Sequence, residues 1–305
     1  MTRAVTRAVT RAVTLRPAAA WAFVSPALVA ITACFVLPVI AALALSFTDF
    51  DLYSVADRGN VRFIGLDNYR RLIATPVFWT ALANTCVFVF VGGPLSIAVS
   101  LATALLLDAG LARAVQVFRT ALFAPVVTTV VAVAVIWRYL LHTRHGYFNH
   151  VLDALGLPAI DWLGDPRWSM PAVIVFAVWK NFGANMIVFV AGLQGIPAEL
   201  YEAARIDGAT RAQQFRFITL PALAPTMLLV TLLTMVGYFQ LFAEPYVMTR
   251  GGPAQSTTSV LYVMFEEGFK WWNLGFASAV AFVLFAIMLV GTALQLALAR
   301  RWSRP

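Results

Sequence analysis

Residues 202–221 read EAARIDGATRAQQFRFITLP and form a long polar interval between two hydrophobic runs. Gly208 stands where a first short helix would end, because glycine adopts the left-handed conformation of a helix C-cap at the lowest cost. Thr210 and Gln213 have the spacing of a capping box, which predicts the start of a second helix. Pro221 is expected to stop that helix, because proline lacks the N–H that a helix interior needs. The interval therefore predicts two short helices joined by a turn.

The two predicted helices carry different side chains. Ala203 and Ala204 leave a bare surface that another backbone or ring can approach closely. The second helix has an apolar character from Phe215, Phe217, Ile218 and Leu220. The charges available for pairing across an interface are Glu202, Arg205, Asp207 and Arg211. Composition alone favours an amphipathic loop lying on a bilayer over a docking site.

The composition is that of a membrane protein. Of 305 residues, 61% are hydrophobic and 12% are charged, and the mean hydropathy is +0.81. Soluble domains carry about a quarter charged residues. Cys34 and Cys86 both lie in apolar runs, so they indicate neither a disulfide framework nor a thiolate metal site.

Six apolar runs have the roughly 20 residues that a membrane-spanning helix needs. They cover residues 21–46, 80–107, 120–141, 169–193, 222–249 and 274–299. The sequence thus predicts an all-α membrane protein with about six transmembrane helices over residues 21–299. A basic low-complexity tail at 1–20 and a basic tail at 300–305 flank this domain.

The orientation of the chain follows from the lysines and arginines between the runs. The segments on one side, which include both tails and the loop 197–221, total 66 residues and carry 12 of these cations. The segments on the other side total 84 residues and carry 8. Cytoplasmic segments are enriched in Lys and Arg. We therefore expect both termini and the loop 197–221 to be cytoplasmic.

The interval 202–221 resembles the EAA loop of the permease subunits of bacterial ABC importers, and we call it the EAA segment. The family pattern is EAA, three residues, G, nine residues and I-x-L-P. Every specified position matches, at Glu202, Ala203, Ala204, Gly208, Ile218, Leu220 and Pro221. The resemblance implies a cytoplasmic coupling helix that docks into a cleft on a separate ATPase subunit. Glu202 would then be the charged anchor, Gly208 the turn, and Ala203 and Ala204 the close-contact face.

Two further segments resemble the sugar-importer permeases of the maltose, lactose and glycerol-3-phosphate type. Residues 63–69, FIGLDNY, are similar to the segment before the second helix, and residues 251–258 are similar to the final outer loop. The family implies an inner-membrane subunit that pairs with a second homologous permease, an ATP-binding-cassette ATPase dimer and an extracytoplasmic solute-binding protein. The implied cargo is a sugar or related carbohydrate.

The sequence lacks the residues that several other functions require. The only lysines are Lys180 and Lys270, and neither ends the G-x-x-x-x-G-K-[ST] loop that binds nucleotide phosphates. Energy must therefore come from another polypeptide or from an ion gradient. No catalytic constellation, cofactor motif or nucleic-acid-binding domain is recognisable, so we expect no enzyme. His142, His145 and His150 share one outer loop, but no ligand set accompanies them, and no metal site is predicted.

The candidate substrate contacts are polar and aromatic residues of the later runs: Asn185, Tyr238, Gln240 and Phe242. Amides suit sugar hydroxyls, and aromatic rings suit the C–H faces of sugars. Interhelical hydrogen bonds and packing explain each of these residues equally well. Lys180, inside the fourth run, is interpreted as an interior-facing structural lysine.

The alternative function is an ion-coupled secondary transporter or channel that acts without an ATPase. Such proteins often contain inverted repeats and paired ionisable residues within the membrane. Here no internal repeat is evident, and Lys180 is the one deeply placed charge. The EAA segment favours the importer.

Overall fold

The computed structural model describes residues 17–109 and 115–302. The basic tail residues 1–16 and 303–305 lie outside the described part of the chain. In chain order the α-helices are α1 (Pro17–Ile31), α2 (Leu37–Leu45), α3 (Leu52–Ala56), α4 (Asp67–Ala74), α5 (Pro76–Val87), α6 (Gly93–Asp108), α7 (Val115–Val127), α8 (Val130–Leu140), α9 (Tyr147–Ala154), α10 (Pro166–Gln194), α11 (Ala198–Ile206), α12 (Arg211–Gln214), α13 (Leu220–Ala222), α14 (Ala224–Phe239), α15 (Ala243–Met248), α16 (Val260–Phe265) and α17 (Leu274–Trp302). One 3₁₀ turn covers Arg58–Asn60, and π-helical turns cover Thr32–Val36, Phe88–Gly92, Phe215–Thr219 and Glu266–Lys270.

The prediction of an all-α membrane protein with about six membrane-spanning helices is confirmed. Four helical runs among the described residues are long and apolar enough to cross a membrane: Ala20–Leu45, Pro76–Asp108, Pro166–Gln194 and Leu274–Ala299. Two bent pairs, α7 with α8 and Arg211–Ala222 with α14, bring the number to six when each pair counts as one span.

Helix α10 lies at the centre of the protein. It contributes buried side chains to each of three apolar clusters, among them Val173, Phe176 and Phe189. Of the most apolar stretch of α10, 61% is buried, whereas none of the corresponding stretch of Ala20–Leu45 is. The first span therefore lies on the outside of the subunit, and α10 is the element against which most of the other spans pack.

The third predicted span, 120–141, is not one straight helix. Helices α7 and α8 meet at an angle of 100°, with a break at residues 128–129. The Thr128 hydroxyl donates to the Pro125 carbonyl, and Thr129 has the extended conformation of a helix N-cap. Threonine side chains compete with the backbone for such hydrogen bonds and so favour helix ends. Hydropathy, which ignores these local bonds, gave no sign of the bend.

The fifth predicted span, 222–249, is too long. Helix α14 ends at Phe239, and a separate short helix, α15, begins at Ala243. A continuous helix would require Pro245 to donate to the Leu241 carbonyl, which proline cannot do. The chain instead turns at Phe242, and the Leu241 carbonyl accepts a hydrogen bond from the Ser259 hydroxyl.

The expectation that Pro221 stops a helix is also wrong. The chain stays helical through Pro221, and the break comes at Leu223, where the axis bends by 66°. A π-helical turn, Phe215–Thr219, comes directly before, and the Leu220 N–H donates to the Phe215 carbonyl five residues earlier. Such a wider turn accommodates a proline that would clash in a regular α-helix.

Candidate coupling segment and membrane cavity

The turn of the EAA segment is a complete Schellman motif. Gly208 has φ +76°, its N–H donates to the Arg205 carbonyl at 3.1 Å, and the Ala209 N–H donates to the Ala204 carbonyl at 2.8 Å. These are the two hydrogen bonds that define the motif. A Cβ atom at Gly208 would meet nothing within 4 Å. The backbone conformation, and not lack of space, therefore requires glycine here.

The predicted capping box at the start of α12 is confirmed. The Gln213 N–H donates to the Thr210 hydroxyl at 3.3 Å, and the Thr210 N–H donates to the Gln213 side-chain oxygen at 2.7 Å. The pair satisfies two backbone donors that a helix start leaves free. The geometry between α11 and α12 is thus set by residues within the segment.

The outer surface of the EAA segment combines charge with apolar side chains. Glu202 and Ala203 are exposed, Ala204 is half-buried, and Ile206 and Phe217 are 87% and 68% exposed. Of the remaining motif residues, Leu220 and Pro221 are exposed and Ile218 is half-buried. In the described part of the chain the ion pairs are Arg62–Asp49, Arg70–Asp67 and Lys270–Glu266. No carboxylate or cation of the segment is therefore neutralised by an ion pair within the described residues.

A hydroxyl pair joins α11 to the chain that enters the membrane. The Tyr201 hydroxyl lies 2.9 Å from the Thr219 hydroxyl, and Thr219 is buried. Four residues later, Leu223 is fully buried in the cluster that includes Phe189 of α10. The first helix of the EAA segment is thus tethered to the base of α14.

A cavity of about 370 Å³ lies beside α14, between this helix and α10. Its polar and aromatic lining includes Phe88, Asn181, Asn185, Thr234, Tyr238 and Glu244. The Asn185 amide donates to the Thr234 hydroxyl at 2.9 Å, and the rings of Phe88 and Tyr238 stack with centroids 4.8 Å apart. Small-molecule sites commonly have such a volume, with a few polar groups on a largely apolar lining.

The structure brings together two of the four residues proposed from sequence as substrate contacts. Asn185 and Tyr238 line the cavity. Gln240 lies outside it, exposed at the end of α14, and Phe242 packs against Tyr246 and other rings. The sequence reasoning missed Asn181, Thr234 and Glu244. The four-residue spacing of Asn181 and Asn185, and of Thr234 and Tyr238, was the available signal, because such residues share one helix face.

Lys180 is an interior-facing lysine, as its sequence context indicated. Its side chain is 7% exposed, and the ammonium donates to the Val126 carbonyl at 3.1 Å. That carbonyl belongs to the last turn of α7, where helix carbonyls lack intrahelical donors. One turn along α10, Gly183 permits contact with the same helix, because a Cβ there would lie 2.4 Å from the Leu122 carbonyl oxygen. Lys180 and Gly183 together hold α7 against α10.

Six apolar spans with α10 at their centre, a polar cavity between two of them and an exposed helix pair at one end define a polytopic membrane transport protein. The chain belongs to the family of binding-protein-dependent transport system inner membrane components, which matches residues 69–304. It is therefore a multi-pass inner-membrane component of a transport system.

Relatives whose names give a substrate match most of the chain. The lactose transport system permease protein LacF of Rhizobium radiobacter is 35% identical over 286 residues, 92% of this chain and 93% of LacF. The trehalose/maltose transport system permease protein MalF of Thermococcus litoralis is 34% identical over 241 residues, 78% of this chain and 80% of MalF. The fold is shared with a bacterial ABC transporter involved in the import of the acidic polysaccharide alginate. That comparison has a TM-score of 0.82 and 22% identity, and covers 95% of this chain and 97% of the other.

Proposed function

We propose that this chain is a permease subunit of an ATP-binding-cassette importer and that it carries a sugar or related carbohydrate. It forms the translocation pathway with a second homologous permease. An ATPase dimer on the cytoplasmic face supplies the energy, and an extracytoplasmic binding protein delivers the solute. The chain itself performs no catalysis. The exposed EAA segment, whose charges form no ion pair among the described residues and which is tethered to a cavity-lining helix, is the observation that carries this proposal.

The EAA segment is the docking surface for the ATPase. Glu202 on α11 presents a carboxylate without an ion pair in the described residues, beside the small side chain of Ala203 and the exposed Ile206. Interfaces gain specificity from charges that meet a complementary partner and affinity from apolar anchors. The excess of Lys and Arg on the side of the EAA segment supports a cytoplasmic location for it and for both termini.

Movement of the ATPases is transmitted to the cavity through α14. The Tyr201–Thr219 hydroxyl pair joins α11 to the helical chain that continues, after the bend at Leu223, into α14. Thr234 and Tyr238 near the other end of α14 line the cavity. A displacement of α11 therefore shifts one side of the cavity relative to α10, which supplies Asn181 and Asn185.

The cavity has the chemistry to hold a carbohydrate. The Asn181 and Asn185 amides offer both hydrogen-bond donors and acceptors to hydroxyl groups. The rings of Phe88 and Tyr238, which stack on each other in the wall of the cavity, make part of its lining apolar. Asn185 and Tyr238 are thus the substrate-pathway residues for which the cavity gives support.

Affinity purification of the tagged chain from its native membrane tests this function. We expect an ATPase and a second permease to be recovered with it, and the ATPase to be lost with Glu202→Lys, because the substitution reverses the charge of the docking helix. Asp153→Lys is the matched control. Asp153 is likewise an exposed carboxylate on a short surface helix, α9, between spans on the opposite side. That variant should retain the ATPase.

Two results would contradict the proposal. One is equal recovery of the ATPase with Glu202→Lys and with the wild type. The other is a chain that is recovered alone and that moves solute in liposomes without ATP, which would favour the ion-coupled transporter.

A further inference from the structure

The described residues that line the cavity include one acidic side chain and no basic one. Among its lining residues Glu244 is the one carboxylate, and no lysine, arginine or histidine lines it. An ionisable side chain in a membrane-protein cavity is expensive to keep and is a functional candidate by default. The relatives described above include a lactose permease and an importer of an acidic polysaccharide. The shared fold therefore does not determine whether the solute of this chain is neutral or acidic.

The break between α14 and α15 places Glu244 at the cavity. Helix α14 ends at Phe239, and Glu244 lies in the first turn of α15. Buried Pro245 and Met248 anchor α15 in the protein. Leu241, in the intervening turn, lines the cavity together with Glu244. If α14 continued straight, residue 244 would lie about 7.5 Å beyond Phe239 along the helix axis, at 1.5 Å per residue.

Lys180, the cation that interacts electrostatically with Glu244, forms its hydrogen bond outside the cavity. Lys180 lies one residue from cavity-lining Asn181, but its ammonium donates to the Val126 carbonyl and does not line the cavity. None of the ion pairs among the described residues includes Glu244. From the described residues of this chain, a solute in the cavity therefore meets a carboxylate without an ion-paired cation and meets no cationic side chain.

We propose that Glu244 determines the charge of the transported solute. Its carboxylate accepts hydrogen bonds from the hydroxyl groups of an uncharged carbohydrate, and it repels solutes that carry a carboxylate, sulfonate or phosphate group. Hydrogen bonds to a charged acceptor are stronger than those to a neutral one. The same side chain thus contributes to binding and to selection. This inference rests on the proposed function and specifies its substrate class.

The test uses proteoliposomes that contain the complete transporter, with the same wild-type binding protein in every arm. The probes are two matched pairs, lactose with lactobionate and maltose with maltose 6-phosphate. We expect the wild type to import a neutral probe faster than its acidic counterpart. Glu244→Gln should lower neutral uptake at subsaturating concentration by about 5-fold, because the charged hydrogen bond is lost. It should also raise the ratio of acidic to neutral uptake.

Glu267→Gln is the control, because Glu267 is a half-buried carboxylate outside the cavity that accepts a hydrogen bond from Asn273. Glu267→Gln should show the same uptake of each probe as the wild type. Faster wild-type import of an acidic probe than of its neutral counterpart overturns the inference, and so does unchanged selectivity in Glu244→Gln. Uptake that does not depend on ATP in the wild-type vesicles overturns the proposed function itself. The two failures are therefore distinguishable.

Discussion

The EAA segment and the cavity are built by contacts of different range. In the EAA segment the hydrogen bonds that form the turn and the capping box join residues three to five positions apart, such as Thr210 with Gln213 and Ala204 with Ala209. Around the cavity the Asn185–Thr234 bond joins residues 49 positions apart. The first region is therefore determined by local sequence, and the second exists only once α10 and α14 have packed together.

Two glycines show the same contrast. Gly208 has φ +76° and open space around it, so its backbone conformation excludes other residues. Gly183 is in the middle of α10, and the Leu122 carbonyl oxygen stands where its side chain would be. A glycine that a turn needs is recognisable from its neighbours in sequence. A glycine that a distant helix needs is recognisable only from the structure.

The largest effect is expected from Gly183→Ala. The new Cβ would lie 2.4 Å from a backbone oxygen of α7, so the two helices must separate. Overpacking of this kind costs about 1–3 kcal/mol. The thermal unfolding temperature of the detergent-solubilised chain should fall. Gly237→Ala is the control, because a Cβ at this helical glycine meets nothing within 4 Å. It should leave stability unchanged or raise it, since alanine favours the helix by about 1 kcal/mol.

Equal unfolding temperatures for the Gly183→Ala and Gly237→Ala variants would contradict the close contact of α7 with α10. Gly183 would then not be a glycine that the packing of a distant helix requires.

A smaller effect is expected from Tyr201→Phe, which removes the hydroxyl pair with Thr219. Loss of one hydrogen bond destabilises by about 1 kcal/mol. Amide hydrogens of α11 should therefore exchange about 5-fold faster, since they open locally more often. Tyr147→Phe is the control, because Tyr147 is exposed on α9 and its hydroxyl has no partner among the described residues. Unchanged exchange in α11 with Tyr201→Phe would show that the tether does not hold the EAA segment.

The sequence was sufficient to predict the structure where single residues determine the backbone conformation. The C-cap at Gly208 and the capping box at Thr210 follow from the preferences of glycine and threonine, and both are present. The six apolar runs were also recognisable, because the length of a membrane span leaves little freedom.

Other features depend on groups that hydropathy does not register. The bend at residues 128–129 involves the hydrogen bond of the Thr128 hydroxyl, and α14 ends before 249 because Pro245 cannot continue it. The cavity needs two helices in register, so Gln240 and Phe242 were as plausible from sequence as Asn185 and Tyr238. Glu244 was visible as an acid within the predicted span, but its place at the cavity depends on the turn after Phe239.

The most direct test of the account is the number of solute molecules imported per ATP hydrolysed by Gly208→Val in proteoliposomes. Valine at this positive φ disrupts the Schellman turn. We predict a fall of more than about 10-fold in uptake per ATP, equivalent to about 1.4 kcal/mol of coupling, with ATP hydrolysis and membrane insertion retained. Gly208→Asn, which tolerates the left-handed conformation, should remain coupled. Gly156→Val should also remain coupled. Gly156 has φ +70° and open space around it, as Gly208 does, but it lies in the loop after α9. Uptake per ATP equal to the wild type in Gly208→Val would contradict the coupling role of the EAA segment.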